Sequence, residues 1–314
     1  MAEETTKSYL SLMPYFNLSF GKQSEYVYLG EYGSTTDENM LSKLDYNDSP
    51  SLQLGAKLRW EGDFIYAVLD MQDGIPAKCG NLYDYDWLNK SPDSGYPNDP
   101  TDNTLTNFSR SDSSLYRLFS ADLSIGAKIP VKDFKLCPYI GLFVKYSKYI
   151  GTDGEKYYGQ KGADGYYSSY NSDTAVTGTF SGNVLALERK MLVTWIGFAA
   201  DWAPLPRLSF SADAAISPYS LVYSYDTHYL TTTEYLDIMH NVFSTFKGSI
   251  GSTFKINELN SLEISWNITG TSTLRGKTYY TESLTSSTFY YNSSTYAGAS
   301  YLYNSIYIGY KINI

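Results

Sequence analysis

From Leu10 onward every second residue is apolar. Leu10, Leu12, Pro14, Phe16, Leu18 and Phe20 share one face, and Ser11, Met13, Tyr15, Asn17, Ser19, Gly21, Gln23 and Glu25 share the other. A period of two is the signature of a β-strand with one wet and one apolar face. It returns at Leu52, Leu54, Ala56, Leu58 and Trp60, interleaved with Gln53, Gly55, Lys57, Arg59 and Glu61. Further segments of the same kind lie near 63–71, 115–131, 136–149, 185–202, 207–217, 241–255, 260–269 and 299–314, which makes about ten strands in all.

The spacers between these segments alternate in kind. Tight turns such as "PVKD" and "PLPR" are followed by long polar stretches such as "TDGEKYYGQKGADGYYSSYNSDTAVTG". That asymmetry predicts an all-β fold, a ten-stranded antiparallel up-and-down transmembrane β-barrel with short periplasmic turns and long outer loops. The first segment keeps phase for more residues than a bilayer needs, so the strands are expected to be tall and to project beyond the outer leaflet. A soluble β-sandwich or carbohydrate-binding β protein is the competing fold, but its strands average about 5–6 residues.

Composition fits the barrel. The 314 residues include 33 Tyr, 14 Phe and 5 Trp against 18% charged residues, a mixture that favours strands and aromatic girdles. No apolar run is long enough for a helical span. Nothing in the composition marks a domain boundary, so residues 1–314 are expected to form a single domain, with 1–7 a flexible N-terminus. The opening "MAEETTKSYL" lacks the basic and apolar regions of a signal peptide, and reads as a mature form with an added Met1. The formal charge of −9 excludes nucleic acid as a natural partner and favours cationic ones. Cys79 and Cys137 are too few for a thiolate zinc site and are expected to be free thiols near opposite barrel ends.

Two short stretches carry candidate chemistry. In "GNLYDYDW", Asp84 and Asp86 share one side of an extended chain, flanked by Tyr83, Tyr85 and Trp87. In "YSYDTHYL", Asp226 and His228 do the same. A carboxylate beside an imidazole fixes its tautomer and raises its basicity, as a general base requires. Each pair alone is also what a solvated loop contains; facing one another, they could hold and deprotonate a water. Along 208–228 the apolar face is Leu208, Phe210, Ala212, Ala214 and Ile216, and strict alternation would turn Asp226 and His228 outward with it. A bulge near Pro218 is therefore predicted.

These residues resemble the omptin family of outer-membrane aspartate–histidine endoproteases. "GNLYDYDW" is similar to its Asp-x-Asp-Trp motif and "YDTHY" to its Asp-x-His-Tyr motif; "SFGKQSEYVYLGE", "LSKLDYN", "ISWN" and "YAGASYLYNSIYIGYKINI" extend the likeness in order from Ser19 to Ile314. The resemblance implies that Asp226 orients His228, that Asp84 with Asp86 binds the nucleophilic water, and that no acyl-enzyme or metal takes part. It implies a substrate pocket with Glu25 for a basic side chain, Leu82 as an apolar wall, and Ser224 where members that cut beside Arg or Lys carry an Asp. Cationic peptides or proteins would be cut at the cell surface, next to basic residues, by a monomer in the outer membrane with its site facing outward. No cofactor is implied beyond lipopolysaccharide or another lipid activator, whose Tyr-acidic-Arg strand motif is replaced here by Tyr146, Lys148 and Ile150. A non-enzymatic outer-membrane barrel, adhesin or pore, is the alternative.

Overall fold

In the computed structural model one antiparallel sheet closes on itself. The structure describes residues 9–30, 32, 40–90 and 99–314; the expected flexible segment 1–7 lies outside them. The strand segments are β1 (Tyr9–Leu29), β2 (Met40–Glu61), β3 (Ile65–Gly74), β4 (Ala77–Asp86), β5 (Asn107–Ala127), β6 (Ile129–Val131), β7 (Phe134–Tyr158), β8 (Val176–Leu205), β9 (Leu208–Ile216), β10 (Ser220–His228), β11 (Thr233–Asn241), β12 (Thr245–Lys255), β13 (Asn260–Thr281) and β14 (Tyr290–Asn313). Four of them, β4, β6, β10 and β12, continue the segment before them across a short break, so the wall has ten strands. β1 pairs with both β2 and β14, which closes the ring and removes every sheet edge.

Alternation decides what each strand shows. On β1, Phe16, Leu18 and Phe20 are exposed while Met13, Tyr15, Asn17 and Ser19 are buried inside. The exposed apolar positions continue around the wall through Leu54, Leu123, Ile140, Phe198, Ile250, Ile264 and Ile306. This outward band covers only the lower part of the barrel, at the end holding Tyr9, Ile314 and the turns 62–64, 206–207 and 256–259. It ends on β1 at Phe20, and Glu25 lies five residues higher, on the order of 15 Å along the strand. The upper barrel therefore stands clear of the hydrocarbon, as expected of tall strands.

The interior changes with height. Low in the barrel it is ionic: Lys57 lies 3.7 Å from Asp70, Lys247 2.6 Å from Asp122, and Arg59 and Lys128 both bind Glu61, around a polar cavity of about 850 Å³. Higher up, Leu44, Tyr46, Leu82, Leu115, Leu118, Tyr149 and Leu187 pack into a buried cluster. Cys79 belongs to that cluster at mid-height and Cys137 lies near the turn end; both are free thiols.

Two segments are longer than their periodicity suggests. The third strand runs through β4 to Asp86, and both ends of the polar stretch 152–178 are strand, with β7 and β8 paired up to Tyr158 and Val176. A hairpin standing in water on both faces has no apolar row to reveal it. β11 escapes the alternation pattern because its buried row mixes Asp237 with Met239 and so is not uniformly apolar.

Candidate active site

The four candidate residues come from two walls of the upper barrel. β4 lies between β2 and β5, with Asp84 opposite Leu44 and Ser109, and Asp86 opposite Ser42 and Asn107. Alternation sends both carboxyls inward while Tyr83, Tyr85 and Trp87 stack along the outer face at 6.5 Å centroid spacings. Ser42 and Asn107 hydrogen-bond Asp86 from the flanking strands.

On the other wall, the predicted irregularity is present. β9 pairs Ile216 with Ile196 of β8, whereas β10 pairs Ser220 with Val193. Three residues, 217–219, thus face two on β8, a one-residue bulge that exchanges the faces of the strand. Phe210 and Ile216 point outward below it, and Ser220, Val222, Ser224 and Asp226 are buried above it. Buried hydroxyls satisfy the kink: Ser217 Oγ contacts Ser220 Oγ at 3.0 Å, and Ser220 Oγ contacts Thr245 Oγ1 at 2.7 Å.

Asp226 Oδ2 lies 2.5 Å from His228 Nε2. The ring of Tyr235 meets the imidazole edge-on at 5.3 Å and fixes its plane. The Asp226 side chain is 5% exposed but that of His228 is 33% exposed, so solvent reaches the ring and not its anchor. The charges of Asp84 and Asp86 also act on the imidazole, so the two walls converge electrostatically. Burial alone would lower the imidazole pKa, but the charge and hydrogen bond of Asp226, reinforced by Asp84 and Asp86, bring it up to about 9. Burial drives the Asp84 carboxyl well above the usual carboxylate range; the neighbouring Asp86 adds to this and His228 opposes it. Burial likewise raises Asp86. Burial and mutual repulsion thus hold the Asp84–Asp86 pair toward its protonated form. Among the described residues no cluster of three or more His, Cys, Asp or Glu is arranged to hold a metal ion.

Below this opening lie the three residues expected to receive a substrate side chain. Glu25 is on the same row as Asp84, with Leu44 of β2 between them, and Leu82 is one inward position lower on β4. Ser224 sits beside Asp226 on β10. Glu25, Leu82 and Ser224 are all buried. Two further residues, not singled out in the sequence, join them. Arg189 of β8 and Asp237 of β11 flank Ser224 on its two neighbouring strands. The signal for Arg189 was its place in the inward row Leu185, Leu187, Met191, Val193, where an arginine is out of character; Asp237 had a similar signal beside Met239.

A model of the Omptin family matches residues 16–314. Among solved structures, the fold is similar to that of the outer membrane protease OmpT from Escherichia coli, with a TM-score of 0.80 at 15% identity, covering 99% of each chain. The translocator domain of the autotransporter NalP from Neisseria meningitidis is more distant, with a TM-score of 0.36 at 10% identity, covering 98% of this chain and 90% of that one. No curated protein sequence matches the chain.

Proposed function

This chain belongs to the omptin family, and from that premise we propose that it is an outer-membrane endopeptidase whose site faces the cell exterior. The observation that carries the reading is the Asp226–His228 couple, held at 2.5 Å and turned into the lumen by a bulge, within electrostatic reach of Asp84 and Asp86. The site lies at the end of the barrel with the longer connections, 87–106 and 159–175, which is the outer end in this architecture.

In this reading a water sits between the Asp84–Asp86 pair and His228. Asp226 holds Nε2, leaving Nδ1 to take a proton from the water as its oxygen attacks the scissile carbonyl. The tetrahedral intermediate then collapses, the peptide C–N bond breaks, and the imidazolium returns the proton to the leaving amine. No acyl-enzyme forms. General-base assistance of this kind contributes roughly 10²–10⁴ in rate, with positioning and charge stabilisation supplying the rest. The packed cluster beneath the site, including Leu82, Leu118 and Tyr149, favours this reading over a pore.

The test is hydrolysis of internally quenched peptides by the detergent-solubilised protein, with His228→Ala and Asp84→Ala as controls. Cleavage that both variants lose and that EDTA leaves intact is expected. Absence of cleavage across a varied peptide set, or full activity in both variants, refutes the proposal.

A further inference from the structure

A buried carboxylate pair beside a peptidase site is the natural receptor for a basic side chain. Glu25 and Asp237 form such a pair here: Glu25 hydrogen-bonds Asp237, which also accepts a bond from Thr278. The place of the basic side chain, however, is taken by the protein itself. Arg189 Nε donates to Ser224 Oγ at 3.0 Å, one terminal nitrogen donates to Gln23 Oε1 at 3.2 Å, and the other donates to the Ser24 carbonyl at 3.3 Å and lies 3.8 Å from Glu25 Oε2. Its side chain is 1% exposed and that of Glu25 4%.

We propose that Arg189 is a built-in occupant of the acidic pocket, and that it sets the specificity of the site toward peptides with an uncharged residue, rather than Arg or Lys, before the bond that is cut. The inference rests on the peptidase reading above. Charge and space both support it. The guanidinium is buried 3.8 Å from Glu25 Oε2, so a second cation entering the pocket would lose hydration and meet a like charge already in place. Three of the five N–H donors of Arg189 bind β1 and β10 and the side chain is buried, so it is fixed in place and out of reach of an incoming acidic side chain as well. Arg189 acts here as a specificity-determining residue, not a catalytic one.

The experiment compares quenched peptides that differ only at the residue before the cut, Arg or Lys against Ala, Gln or Leu, with cut sites mapped by mass spectrometry. The parent protein is expected to favour the uncharged set at least tenfold in kcat/KM. Arg189→Ser uncovers the carboxylates and is expected to shift the ratio at least tenfold toward Arg and Lys. Arg189→Lys keeps the charge and is expected to keep the parent preference, provided its barrel is intact by far-UV circular dichroism and its mobility on unheated gels. A parent that prefers Arg or Lys overturns the assignment and leaves the peptidase reading standing, whatever the fate of the variants. A parent that cuts no peptide at all overturns the peptidase reading and the assignment with it.

Discussion

His228 is caught between two demands that differ in sign. Three carboxylates around it favour the imidazolium, while a general base must be neutral when the water arrives. Because the ring titrates at about 9 in the resting protein, only about one molecule in a hundred carries a neutral His228 at pH 7. The rate is therefore expected to climb with pH between about 7 and 9, and pH profiles of kcat/KM check this. Asp226→Asn removes the charge in direct contact with the ring, so its profile should shift to lower pH as its ceiling falls. A profile unmoved by that change would mean that Asp226 does not set the imidazole. His228→Ala should cost at least a hundredfold at every pH. The four residues of this group were legible because two inward positions on one strand leave a mark at i and i+2. Arg189 and Asp237 were not, because their partnership runs across three strands, and register between distant segments is written in no single stretch of sequence.

At the scale of the strand, the chemistry depends on a count of residues. β9 and β10 form one strand in the wall, and without the extra residue between Ser217 and Tyr219 the lipid-facing parity of Phe210 and Ile216 would carry through to Asp226 and His228. Deletion of Pro218 is expected to restore strict alternation above the break, turn the couple away from the lumen and reduce peptide cleavage to the level of His228→Ala. The membrane band below would keep its pattern, so the variant should still be extracted by detergent with the same strand content by circular dichroism. Cleavage near the parent level would show that the bulge is not what aims the couple. The need for this irregularity was readable, since an apolar row and a catalytic pair cannot share one parity. The upper reaches of β4 and β7 were harder to read. They stand above the lipid, where both faces meet water or one another, and hydropathy alternation has no physical cause there.

For the molecule as a whole, charge and specificity separate. The chain carries a formal −9, yet the pocket nearest the chemistry already holds its own cation in Arg189. Attraction of a cationic peptide must then come from the exposed acidic surface and act on residues away from the cut. Such attraction works at range and is screened over about 10 Å at 0.1 M salt and about 3 Å at 1 M. A peptide with Lys residues placed several positions from an uncharged cleavage site is expected to lose kcat/KM steeply over this range through KM, with kcat nearly constant. Its counterpart with Gln in place of those Lys residues should change little. If salt instead depressed kcat for both peptides equally, the screened charges would lie in the site and not on the rim. A steep loss confined to peptides with Arg or Lys directly before the cut would place the attraction back in the Glu25–Asp237 pocket, against its occupation by Arg189.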